Sequence, residues 1–135
     1  MARLIDTSAI ITLERRRLPL SALAANLQGE PIAIASITAS ELLVGYYRVG
    51  TERQRQERQA FIEFILTEFP VLAFDLDVAR THARIASELE GSGRSIGTHD
   101  LLIAATALTW GLVVVTHNLR HFDRVPGLQV SVPTW

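Results

Sequence analysis

Three carboxylates stand where an apolar run gives way to a polar turn: Asp6, Glu41 and Asp100. Asp6 closes Leu4-Ile5, Glu41 follows the run Ile32 to Ile37, and Asp100 stands just before the apolar helix pattern Leu101 to Ala105. In a parallel α/β sheet such turn positions gather along one edge, so acids far apart in sequence can meet in space. Gathered carboxylates repel one another unless a cation neutralises them, and hard divalent cations prefer oxygen ligands. The chemistry this points to is a Mg²⁺-type site, and so work on phosphates. Each acid alone also has a structural reading. Asp6 could be a helix N-cap. Glu41 could close a capping box with Thr38. Asp100 could favour the positive end of its helix. What sets the trio apart is that all three fall at the same type of position, with no basic residue placed locally to pair them.

The elements that must position these acids follow from hydrophobic periodicity and from breakers. Leu4-Ile5 ends a first strand. Thr7 or Ser8 caps a helix through Ala9 to Leu13 that runs into the cluster Arg15-Arg16-Arg17, and a short helix from Leu20 to Gln28 stops at Gly29. Pro31 to Ile37 reads as a buried parallel strand, apolar on both faces. A helix opens at Thr38 and reaches about Val49, with Gly50 behind it. Thr51 caps a longer helix, polar over Glu52 to Gln59, then carrying Phe61, Ile62, Phe64, Ile65 and Phe69 before Pro70 ends it. Val71 to Leu76 is a third strand, Asp77 a cap, and Val78 to Glu90 a helix with Ala79, Ala83, Ala86 and Leu89 at helical spacing, Ile85 beside them. Gly91 to Gly97 is a flexible loop, and the helix from Asp100 to Trp110 stops at Gly111. Leu112 to Thr116 is a β-branched strand. His117 to Asp123 makes a turn or short helix, and a last strand, Leu128 to Val132, follows the turn Val125-Pro126-Gly127. Strands alternating with helices give a doubly wound α/β sheet with helices on both faces.

Composition narrows the classes. A chain of 135 residues is most simply one domain, and 48% hydrophobic with 20% charged residues reads as globular. Without cysteine there is no disulfide or thiolate metal site, which suits a reducing cytoplasm. The interrupted start is not a signal peptide, and no window approaches a membrane span, so a cytoplasmic location is expected. A net charge of −1 does not announce a nucleic-acid binder. All 13 basic residues are arginine. Genome composition explains that most simply, although Arg forks also suit phosphates. The absence of lysine excludes any mechanism that needs one.

The order of motifs resembles a PIN-domain ribonuclease, and closely the VapC-type toxins of bacterial toxin–antitoxin pairs. The resemblance is carried by Ile5-Asp6-Thr7-Ser8-Ala9, by Thr38 to Gly45, by Ile96 to Ala105, by Val115 to Phe122 and by Val125-Pro126-Gly127-Leu128. It spans essentially the whole chain. It implies a three-layer α/β/α domain over residues 1–135, with a central, mostly parallel sheet of four to five strands. It also implies a metal-dependent endoribonuclease that leaves a 5′-phosphate and a 3′-hydroxyl. Asp6, Glu41 and Asp100 would be its acidic ligands for Mg²⁺, with Mn²⁺ as a substitute. The implied partners are the RNA substrate and a small VapB-like antitoxin whose tail blocks the groove. A homodimer is expected, and a heterotetramer or larger assembly with the antitoxin.

One position departs from the pattern. Asn118 stands where many PIN domains carry a fourth acid, and His121 stands three positions on, where some members with Asn have an acid. Asn offers a carbonyl oxygen but no charge, so one resident ion is expected rather than two, a second arriving with substrate. Thr7, Ser8 and Thr116 are candidate hydroxyls to hold a carboxylate or a water, with capping as an equal role for the first two. Arg94, Arg120 and Arg124 flank the acidic edge and could hold RNA phosphates, or simply be solvated. His117 and His121 are four apart, yet nothing else of a zinc motif is present. His99 could reach substrate or only the surface, and the Glu52 to Gln59 stretch reads as a solvated face.

Other readings fit less well. A receiver domain needs adjacent acids at its first strand and a lysine near its last. A haloacid-dehalogenase-type phosphatase needs a second Asp where this chain has Ser8. Gly91-Ser92-Gly93 follows a helix rather than a strand and completes no nucleotide-binding pattern. The remaining alternative is a degenerate PIN domain that binds RNA or protein without cleaving.

Overall fold

Five parallel strands in the order β3-β2-β1-β4-β5 form the centre of the chain. The computed structural model describes residues 1–135, the side chain of Ala24 excepted. The strands are β1 (Arg3–Ile5), β2 (Ile32–Ala35), β3 (Val71–Leu72), β4 (Val113–Val115) and β5 (Val130–Ser131). Around them lie α1 (Thr7–Arg15), α2 (Leu20–Asn26), α3 (Ser36–Tyr47), α4 (Glu52–Glu68), α5 (Leu76–Gly91), α6 (Thr98–Trp110) and α7 (Leu119–Phe122). β1 pairs with β2 through Arg3 opposite Ile32, and with β4 through Ile5 opposite Val115.

Side chains alternate across this sheet, as the pleat requires. Leu4, Ala35 and Val114 face a core built with α5, α6 and α7, including Val78, Ile85, Ile103 and Phe122. Their neighbours Ile5, Ile34 and Val115 face the opposite core, with Leu13 of α1, Leu23 of α2 and Ile62 and Ile65 of α4. The expected α/β/α sandwich is therefore present. Among the described residues no helix is long and apolar enough to cross a membrane.

Several local expectations are corrected. β2 ends at Ala35 and α3 starts at once with Ser36, so the strand does not reach Ile37 and the helix does not open at Thr38. That leaves Glu41 in the sixth helical position, beyond the N-terminal amides that a capping box serves. α3 stops at Tyr47 and α2 at Asn26, each short of its expected end. Neither Thr7 nor Ser8 caps α1: both lie inside it, and Asp6 holds the N-cap position. β3 is only Val71–Leu72, and Asp75 rather than Asp77 caps α5, its Oδ1 accepting from the Val78 amide at 3.0 Å. The buried stripe of α5 is Val78, Ile85 and Leu89, whereas Ala83 is exposed. Phe64 of α4 is exposed as well. β4 and β5 are shorter than read, and α6 begins two residues early, at Thr98. Thr51 does cap α4, accepting from the Gln54 amide at 3.2 Å, and Gly111 ends α6 at φ 67°.

A cradled aspartate at the switch point of the sheet

After β1 the chain builds outward through β2 to β3, then crosses back to lay β4 on the other side of β1. This reversal opens a crevice at the carboxyl ends of β1 and β4, where ligands bind in open α/β sheets. Asp6 follows β1 and Thr116 follows β4, so both project from its two walls.

Asp6 is 2% exposed, and its amide still donates to the Val115 carbonyl at 2.9 Å, which holds its backbone in register with the sheet. It sits at the N-cap of α1 but makes no capping bond with its side chain. Instead its Oδ2 accepts from Thr116 Oγ1 at 2.7 Å and from Ser8 Oγ at 2.8 Å. Proton direction is fixed further back. Thr116 Oγ1 accepts from the Asn118 amide at 2.9 Å, and Ser8 Oγ accepts from the His117 amide at 3.2 Å. An amide can only donate and an ionised carboxylate can only accept, so each hydroxyl gives its single proton to Asp6, the two hydroxyls lying 3.3 Å apart.

These bonds favour the ionised form, yet they do not prevail. Burial is the largest influence on Asp6 and pushes its carboxyl above the ordinary value; the Thr116 and Ser8 hydroxyls pull down, and the negative charge of Asp100 pushes up again. Among the described residues no arginine forms an ion pair with it. A buried carboxylate with a like charge beside it and no basic partner is an arrangement that a cation would neutralise.

Glu41 reaches the same crevice from α3. Its Oε1 accepts from the buried Thr7 Oγ1 at 2.8 Å, and Thr7 Oγ1 lies 3.1 Å from Thr38 Oγ1. Its Oε2 is 3.3 Å from His99 Nδ1. Asp100 lies in the first turn of α6, with Oδ2 only 2.7 Å from His121 Nδ1 on α7. The structure thus joins Asp6 to Ser8 and Thr116, Glu41 to Thr7, and Asp100 to Asp6 through its charge. Among the described residues no three acidic or histidine side chains converge tightly enough to hold an ion together, and Glu41 and Asp100 each contact a histidine. The fit to a hard cation lies in the donors: carboxylate and hydroxyl oxygens around an uncompensated buried charge.

The remaining candidates sort differently. Asn118 is exposed, and only its amide is tied into the cradle. Arg94 and Arg120 are exposed. Arg124 donates to the Ser95 carbonyl at 2.9 Å, fastening the loop before α6 to the end of α7. His117 and His121 do not form a pair, because His121 turns to Asp100. Sequence reasoning left His99 and His121 unplaced and read Thr38 as a cap. The adjacency of His99 to Asp100 was the available signal for the first; nothing local marks the other two.

A family model described as PIN domain matches residues 3–128. Ribonuclease VapC1 of Rickettsia felis is 42% identical over 130 residues, covering 96% of this chain and 95% of that protein. The tRNA(fMet)-specific endonuclease VapC of Salmonella typhimurium is 36% identical over 107 residues, 78% of each. Among solved structures, a chain of DNA-bound VapBC from Salmonella typhimurium superposes with a TM-score of 0.86 at 31% identity over 98% of both chains. VapBC-1 from nontypeable Haemophilus influenzae gives 0.84 at 28% identity, again over 98% of both. The chain belongs to the PIN-domain family, and within it to the VapC proteins.

Proposed function

We propose that this chain is a single-domain VapC-type endoribonuclease toxin that uses Mg²⁺, with Mn²⁺ as a substitute, to cleave cellular RNA and so arrest translation and growth. The observation that carries this reading is Asp6, buried, cradled by two oriented hydroxyls and left without a basic partner at the switch point. Asp6, Glu41 and Asp100 would hold the ion once Glu41 and Asp100 exchange their histidine contacts for it, and Asn118 would offer a neutral carbonyl oxygen. When bound, the ion would supply charge neutralisation at the phosphoryl oxygens and would lower the pKa of a water so that it can lose its proton and serve as the nucleophile. The protein supplies position. Ser8 and Thr116 lock the Asp6 carboxylate through Oδ2, and neither engages Oδ1. Thr7 sets one oxygen of Glu41. The exposed guanidinium groups of Arg94 and Arg120 are free to meet RNA phosphates, and Arg124 keeps the loop that carries Arg94 in place. Three carboxylates and one amide favour a single resident ion. Calorimetric titration of the RNA-free protein should therefore show one tight Mg²⁺ site, and two tight sites would contradict this count.

Inhibition would come from a small VapB-like antitoxin. Support for that partner is that related chains were solved within VapBC toxin–antitoxin complexes. A homodimer, and a heterotetramer or larger assembly with the antitoxin, would be the working forms in the cytoplasm. Expressing the chain with and without its neighbouring antitoxin gene, and mapping the 5′ ends of cellular RNA, tests the whole reading. New 5′-phosphate ends and arrested growth are expected only without the antitoxin. Normal growth with no new ends would overturn it.

A further inference from the structure

Seven of the thirteen arginines fall in two short stretches, residues 15–17 and 48–58, that the cleavage site does not use. The structure brings these stretches together. An open groove of about 720 Å³ lies where the end of α1 meets the α3–α4 junction, and Arg15, Arg17, Arg48 and Arg58 line it with Glu14 and Glu57. Arg58 is held by Glu14, Nε to Oε2, at 2.6 Å, while Glu57 pairs with Arg53. Arg15, Arg17 and Arg48 are exposed and form no ion pair among the described residues.

Two features set this groove apart from a merely solvated face. A Cβ on Gly45 would stand 2.8 Å from Arg58 Nη1, the movable end of a side chain held by Glu14, so that guanidinium packs closely on the backbone of α3. Arg17 has φ 52°, a left-handed conformation at a helix end where glycine is the ordinary choice. Helix C-termini attract cations, which accounts for Arg15 and Arg48 but for neither of these features. The wall is fixed too, since Arg55 donates to the Val49 carbonyl at 3.2 Å.

The groove shares its two helices with the acids. Thr7 and Glu41 lie toward the switch-point end of α1 and α3; Arg15 and Arg48 lie eight and seven residues further on, about 10–12 Å at helical rise. Guanidinium forks free of carboxylates match phosphodiester oxygens. We propose that this groove anchors the phosphodiesters of the RNA strand cleaved at the acids, gripping it at a distance from the scissile bond. The proposal rests on the ribonuclease reading above.

The test is fluorescence anisotropy of a labelled single-stranded RNA on the full chain, without antitoxin and in EDTA so that nothing is cleaved. The double variant Arg17→Gln with Arg48→Gln should bind about tenfold more weakly, and its log affinity against log salt should be shallower by about 1.4, as two lost phosphate contacts require. Glu57→Gln should bind more tightly, a gain that misfolding cannot imitate. Arg80→Gln, on α5, should bind as the parent does. With Mg²⁺ present, the double variant should raise KM on a long RNA at unchanged kcat, and should leave cleavage of a dinucleotide too short to span the distance unaltered. Unchanged affinity and salt slope in the double variant would overturn the proposal. So would loss of binding to a polyglutamate peptide with RNA binding intact, which would make the groove a seat for an acidic protein segment. Anisotropy that follows the arginines in a protein cleaving no RNA would keep the groove as an RNA site and remove the nuclease reading instead.

Discussion

Burial works against the ionised form of Asp6. Burial raises its carboxyl above the ordinary value, so the native state binds more protons than the unfolded chain between the two values. Stability from this group is full below the unfolded value and is lost as pH rises through the folded one. When ionised without a cation, Asp6 is therefore a destabilising charge. Asp6→Asn removes that charge while keeping an oxygen to accept from Ser8 and Thr116. It should melt higher than the parent in EDTA at pH 7, with the advantage shrinking toward acid. Adding Mg²⁺ should raise the melting temperature of the parent and leave the variant unmoved. Cleavage by the variant should fall at least about a hundredfold, the order seen when transition-state charge stabilisation is removed. A variant that melts lower than the parent in EDTA would show that Asp6 is structural. The three acids were legible in sequence because each borders an apolar run, Asp6 and Glu41 after one and Asp100 before one. Their histidine partners were not, since the contact between Asp100 and His121 joins two helices across a strand and leaves no local trace.

The elements show where pattern reading stops. Strand β2 runs straight into α3 with no turn residue between, so the apolar run Ile32 to Ile37 conceals the boundary at Ala35. Thr38 then looks like a cap, although its hydroxyl is buried against Thr7. Similarly, two aspartates compete for the start of α5, and only cap geometry decides for Asp75. Asp75→Ala should lower unfolding free energy by about 1 kcal/mol, the usual cost of losing an N-cap. Asp77→Ala, which removes only a favourable charge in the first turn, should cost less, about 0.3–1 kcal/mol. Denaturant unfolding measures both, and the reverse order would restore the original assignment. Where a side chain or a left-handed glycine sets the boundary by itself, as at Thr51 and Gly111, the sequence showed it directly.

At the scale of the molecule, alternation of strands and helices was enough for the sandwich, because period and length distinguish the elements even when their ends are uncertain. Strand order was beyond it. The placement of β4 beside β1 is what turns Asp6 and Thr116 into neighbours 110 residues apart. The same fold separates two charge environments along α1 and α3, acids at one end and arginines at the other. The central claim is that the acid end cleaves RNA with a divalent ion. Incubating the purified chain with RNA in Mg²⁺ or in EDTA, beside Asp6→Asn and Asp100→Asn proteins shown to be folded, tests it most directly. Cleavage by the parent in Mg²⁺ alone, absent from both variants, is the expected result; equal cleavage in EDTA, or by either variant, would contradict it.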